Sequence, residues 1–195
     1  MMRRLFLFFF QLIPILFYAQ YTPSEVDFWR VKTTRQNMLI LGGWALGNIG
    51  VGIAGMNATT GNAYYFHQMN MAWNVVNFGI ATAGYFFTKP QTSATNTSVA
   101  NALIDLENTL MLNTGLDLAY ITAGLALVEL SKNSAYISPE RFRGFGTSLI
   151  LQGAFLGVFD LYQYIVFHKK RKVFLESRFS LLQFEPSING LVIRF

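Results

Sequence analysis

An all-α bundle of four membrane-crossing helices is the fold class this sequence predicts, and three observations predict it. Four apolar segments, at residues 38–56, 69–87, 110–130 and 145–167, are each 19 to 23 residues long, close to the roughly 20 that cross a ~30 Å hydrocarbon core as helix. No Lys or Arg interrupts any of them. Only 13% of the 195 residues are charged and 52% are hydrophobic, with 19 Phe and a mean hydropathy of +0.34, where an average soluble domain carries about 25% charged residues. The same composition excludes a disordered chain, and the absence of cysteine excludes a disulfide scaffold.

The elements follow in chain order. Arg3 and Arg4, the apolar run 5–17 and the small Ala19 before Gln20 form the three regions of a secretory signal peptide, assigned to residues 1–20. An uncleaved signal anchor is the alternative. Thr22 stands three residues before Glu25, the spacing of a capping box, and predicts a helix that runs through Phe28 and Trp29 into the first span. Residues 57–68 are uncharged and turn-rich, so the first two helices should form an antiparallel hairpin, while 88–98 reads as a flexible polar linker. Val99, Leu103, Leu106 and Leu110 recur at helical spacing, which starts the third helix about ten residues before its span. Ser138-Pro139-Glu140 supplies a cap, a proline at the first helical position and an acid in the first turn of the fourth. The membrane domain thus covers 21–168. A basic tail, 169–195, closes with Asn189-Gly190 between apolar runs, the mark of a short hairpin whose Pro186 strand is an edge.

The spans share a pattern. Asn48, Asn77 and Asp117 each open the form [N/D]-x-[G/A]-x-x-x-A-G, which ends at Gly55, Gly84 and Gly124. Helical spacing aligns Asn74, Asn77, Ala81 and Gly84 on one stripe. It does the same for Asn113, Asp117, Tyr120 and Gly124, and for Gly153, Gly157, Asp160 and Tyr164. Lipid tails give no hydrophobic drive for helix association, so small residues beside polar ones mark the packing faces. Gly43, Gly47, Gly84, Gly124, Gly153 and Gly157 are the expected packing glycines.

The candidate chemistry is narrow. Asp117 and Asp160 lie mid-span with no cationic partner in any span. A buried carboxylate must then carry a proton, accept hydrogen bonds, meet water or bind a cation. Asn48, Asn77 and Asn113 are the expected hydrogen-bonding partners, so the set is either a packing network or the proton or cation site of a small carrier. No hydrolase, P-loop, zinc or dinucleotide motif is present, so neither an enzyme, a metal site nor a cofactor is expected. Lys169, Lys170, Arg171 and Lys172 follow the last span and read as a lipid-headgroup anchor rather than a nucleic-acid site. They also oppose the signal peptide. A cleaved signal and four spans leave the C-terminus outside, whereas the positive-inside rule holds this cluster in the cytoplasm.

The run HQMNMAWNVVNFGIATAG at 67–84, together with a leader ending in Ala-Gln, resembles uncharacterised multi-pass membrane proteins of Bacteroidetes-type bacteria. The resemblance covers the four-span region and transfers no activity, because that family has no established one. The expected function is that of a non-enzymatic protein of the bacterial inner membrane, with the bilayer and a second copy or a membrane partner as its contacts. The alternative is a proton- or cation-coupled carrier that uses Asp117 and Asp160.

Overall fold

The computed structural model describes residues 21–133, 138–179, 183–187 and 190–194. The signal peptide expected at 1–20 lies outside the described residues. Four helices make up the domain: α1 Pro23–Ala58, α2 Gly61–Phe87, α3 Asn96–Leu130 and α4 Pro139–Phe179. Three of them, α1, α3 and α4, are long and apolar enough to cross a membrane. Residues 183–187 and 190–194 pair as antiparallel strands β1 and β2. Asn189 of the expected turn lies outside the described residues.

Each helix begins where its local chemistry dictates. The Thr22 hydroxyl accepts from the Glu25 amide at 3.2 Å, and Glu25 Oε2 accepts from the Thr22 amide at 2.8 Å, so the capping box is closed in both directions. A second box, Thr95 with Ser98, starts α3, and α4 opens at Pro139 with Glu140 in its first turn. The link between α1 and α2 is shorter than the sequence suggested. Only Thr59 and Thr60 separate them, because Gly61 takes a φ of +60°, a conformation that costs glycine nothing and lets the chain reverse at once.

Around the bundle the order is α1, α2, α4, α3, with α1 meeting α3 only weakly. The α1–α2 and α3–α4 pairs are antiparallel, while α2 and α4 run parallel. At one end, where α1 and α3 begin and α4 finishes, Val26, Val99, Leu103, Leu110, Phe167 and Phe174 form a buried cluster, and Trp29 meets Phe167 edge to face at 5.4 Å. We call this the cap end. The 88–95 connection belongs to it and is tied down rather than free: Gln91 donates its amide to Asp27 Oδ2 at 2.7 Å, Arg30 reaches the Lys89 carbonyl, and Arg35 donates twice to the Thr88 carbonyl. Nor does the basic cluster begin a tail, since α4 runs straight through residues 169–172 to Phe179.

Candidate functional site

The three shared span motifs behave alike in space. Their closing glycines all meet a neighbouring helix: a Cβ on Gly55 would strike the His67 ring, one on Gly84 the Met38 sulfur at 2.5 Å, and one on Gly124 the Gly146 carbonyl at 2.6 Å. The first small residue of each, Gly50, Gly79 and Ala119, is exposed. Gly153 and Gly157 pack as expected, with the Asp117 carbonyl 2.7 Å from a Gly153 Cβ and the Asp117 Cβ 3.4 Å from a Gly157 Cβ. Gly43 and Gly47 do not, for no atom lies within 4 Å of where either Cβ would stand. That pair faces away from the bundle. Gly52, Gly144 and Gly146, not singled out from sequence, occupy close helix contacts instead.

Inside the bundle an amide ladder joins α1, α2 and α4. Asn70 donates to Asn48 Oδ1 at 3.0 Å and accepts from Gln152 Nε2 at 2.5 Å, while Trp44 Nε1 donates to Gln152 Oε1 at 3.2 Å. Asn74 donates to the Asn70 carbonyl at 2.8 Å, and Asn77 reaches Asn74 Oδ1 at 3.5 Å. Trp44 also stacks on Phe155 with centroids 3.7 Å apart. Asn48 and Asn77 therefore bond to other amides and not to the aspartates. Asn70 and Gln152 were missed, although Asn70 extends the Asn74 and Asn77 stripe by one turn and was legible there. Replacing Gln152 by Leu strands Asn70 Oδ1 and Trp44 Nε1. Membrane hydrogen bonds average only about 0.6 kcal/mol each in double-mutant cycles, so the expected loss is roughly 1–3 kcal/mol in a detergent unfolding titration, and Asn70→Leu should add little to it in the double variant.

The aspartates sit apart from this ladder, between α3 and α4. Asp117 is 3% exposed, and its Oδ2 has no hydrogen-bond partner. Asp160, also buried, accepts from Gln163 Nε2 at 3.3 Å and from the Asn113 side chain. Gln163 in turn accepts from Asn37 Nδ2 at 2.7 Å, which links the pair to α1. Trp73 from α2 packs edge to face on Tyr120, one turn beyond Asp117, at 4.7 Å. Asn113 and Asp160 are thus brought together as the sequence suggested, while Gln163 and Asn37 were missed. No three His, Cys, Asp or Glu side chains gather as a metal site among the described residues.

At the cap end the basic cluster is partly drawn inward. Glu107, 4% exposed, accepts from Arg171 Nε at Oε1 (2.6 Å) and from Arg171 Nη2 at Oε2 (3.0 Å), and His168 Nδ1 lies 2.9 Å from the same Oε2. Burial works to raise the Glu107 carboxyl, but the hydrogen bonds and charge of Arg171 and His168 outweigh it and hold the group below the usual glutamate range. The same bond raises the Arg171 guanidinium. Lys170 stands over the Tyr21 ring at 3.4 Å and the Trp29 ring at 5.4 Å, a cation–π pairing. Arg171 and Lys170 therefore fasten the helix ends together, and Lys172 lies 3.9 Å from Glu176 along the helix.

Fold and site together define a class: an all-helical four-helix bundle with an uncharged amide interior and a buried pair of aspartates. The family described as "Family of unknown function (DUF6992)" matches residues 40–161, and the chain belongs to that family. The match takes in Asn48, Asn77, Asn113, Asp117 and Asp160 and stops short of the basic cluster. No curated protein and no solved structure matches the chain.

Proposed function

We propose that this is a multi-pass protein of the bacterial inner membrane, non-enzymatic, whose four helices all cross the bilayer and which works through lateral contact with a second copy or a membrane partner. The observation that carries the reading is the open glycine face of α1. Gly43 and Gly47, spaced as GxxxG, meet nothing within 4 Å, and Gly50 continues the face; such small-residue faces let helix backbones approach closely in lipid. Support for the bilayer is the exposed apolar belt, which includes Leu39, Leu46 and Val51 on α1, Val76 and Ile80 on α2, Leu112 and Leu118 on α3 and Val158 on α4. Although α2 falls outside the three most apolar helices, its polar Asn70, Asn74 and Asn77 are turned inward. Its exposed side chains include Val75, Val76, Phe78, Ile80, Phe86 and Phe87. A 41-residue α4 is about 60 Å long, twice the hydrocarbon thickness, so the cap end stands clear of the bilayer.

Charge supports an orientation. Arg30, Lys32, Arg35, Lys89 and the 169–172 cluster all belong to the cap end, against Lys132, Arg141 and Arg143 at the other, so the positive-inside rule turns the cap end to the cytoplasm. The chain has no cysteine, and single cysteines at Thr60, Ser93 and Lys132 read the topology with a membrane-impermeant thiol reagent. Labelling of Thr60 and Lys132 from outside, with Ser93 protected, is the expected result. Labelling of Ser93 alone would restore a cleaved signal peptide and invert the protein, and Thr60 on the same side as Ser93 would remove α2 from the membrane. For the contact itself, Gly47→Cys should give disulfide-linked species in membranes and Gly47→Leu should abolish association while leaving the monomer folded. A chain that stays monomeric and uncaptured throughout would overturn the lateral-contact reading.

A further inference from the structure

Two carboxylates inside the bundle are treated differently by their surroundings. Two amide side chains donate to Asp160: Gln163 Nε2 from one turn along α4 and Asn113 from α3. Asp117 receives nothing at Oδ2, although it is 3% exposed. The wall opposite Asp117 is Gly157, whose missing side chain leaves a Cβ position 3.4 Å from Asp117 Cβ and 4.0 Å from Oδ2, and Asp160 follows Gly157 on the same face of α4. No Lys or Arg lies in the apolar segments, and at the cap end Arg171 is engaged with Glu107. On the elements packed around the pair, the titratable side chains nearest in register are Tyr120 on α3 and Tyr164 on α4. At this level α1 brings Asn37, and α2 brings Trp73 and Asn77. Two negative charges in a low-dielectric interior repel each other and lose their hydration. Amide donors soften the cost at one of them only.

We propose that Asp117 and Asp160 form a binding site for one monovalent cation, a proton or a sodium ion, held between α3 and α4. Asp160 is the fixed anion, positioned by Gln163, Asn113 and, through Gln163, by Asn37. Asp117 is the group that takes up and releases the bound charge, since its free oxygen is the one with coordination or protonation capacity to spare. Gly157 provides the room. The chain Asn37–Gln163–Asp160 couples occupancy to α1, whose outer face is the proposed contact surface, although the site itself lies on other helices and does not depend on that contact.

The test uses the full chain reconstituted in vesicles of neutral lipid and reads the C=O stretch of protonated carboxyl groups by infrared difference spectroscopy. Spectra are taken across pH in choline chloride, then at fixed pH with NaCl replacing choline at equal ionic strength. The expected result is a carboxyl band that responds, and that falls by at least half in Asp117→Asn. Loss of the band at alkaline pH with indifference to sodium assigns a proton site. Loss on adding sodium at constant pH assigns a sodium site. Asp160→Asn serves as the second variant if Asp117→Asn does not accumulate, and it should abolish or displace the same response. A spectrum with no carboxyl band sensitive to either pH or sodium, or a responsive band unchanged in both variants, would overturn the site. The topology labelling tests the proposed function separately.

Discussion

Replacing Gly124 by Leu is expected to separate α3 from α4 and to cost about 3 kcal/mol or more, above the roughly 1–3 kcal/mol of ordinary overpacking. The reason is that the obstacle is backbone. A Cβ at Gly124 would lie 2.6 Å from the Gly146 carbonyl oxygen and 3.0 Å from the Ile150 amide nitrogen, and a Cβ at Gly146 would lie 2.6 Å from the Gly124 carbonyl. Ile150 Cγ1 at 2.8 Å and Val128 Cγ2 at 2.9 Å also crowd the crossing, and moving them aside would leave the backbone contacts in place. Gly153→Leu should act in the same way, since a Cβ there meets the Asp117 carbonyl at 2.7 Å. Gly43→Leu is the control: with nothing within 4 Å, it should leave the monomer within about 0.5 kcal/mol of wild type. Unfolding of the purified variants in a denaturing-detergent titration, followed by helix content, measures all three. Equal losses at Gly43 and Gly124 would contradict the close α3–α4 crossing.

The second large effect is expected at Glu107. Removing one member of a buried, hydrogen-bonded charge set typically costs about 3–5 kcal/mol, because the partners are left without their counter-charge, and Glu107 serves both Arg171 and His168. Glu107→Leu should fall at the lower end of that range, since Arg171 and His168 retain access to water. The pH dependence has a definite sign. The Glu107 carboxyl is held below its ordinary value of 4.5 in the folded protein, so its contribution is complete above that value and is lost as pH falls through the folded one. Acid should therefore loosen the cap end of the wild type, and Glu107→Gln should remove that part of the acid sensitivity along with the stability. Hydrogen exchange of α3 amides near residue 107, measured across acid pH, reads both. An identical acid profile in Glu107→Gln would show that other groups govern this end.

The helices were legible because their signals are local. Thr22 with Glu25, and Ser138-Pro139-Glu140, announce starts that the structure places at the same residues. The inward stripe of α2 was legible for a similar reason, since Asn74, Asn77 and Ala81 differ in kind from the apolar residues around them. The glycines were harder. A helix bordered by lipid is apolar outside as well as inside, so small residues on either face look alike in sequence, and only the partner's backbone distinguishes Gly124 from Gly43. Arg171 and Lys170 read as headgroup anchors for a related reason. Glu107 lies 64 residues from Arg171, and nothing in the basic run itself points to it.

The two-residue link between α1 and α2 also bears on how such a chain enters a bilayer. In the proposed four-span arrangement α2 on its own would expose Asn70, Asn74 and Asn77 to hydrocarbon, and each amide left without a partner there is costly. Asn48 of α1 supplies an acceptor to Asn70 from within the same hairpin, and only Thr59 and Thr60 separate the two helices. On that proposal the hairpin, rather than the single helix, is the unit that enters the bilayer, and Gln152 of α4, later in the chain, completes the ladder. Lengthening the link should accordingly hinder insertion of α2 before it affects the finished fold.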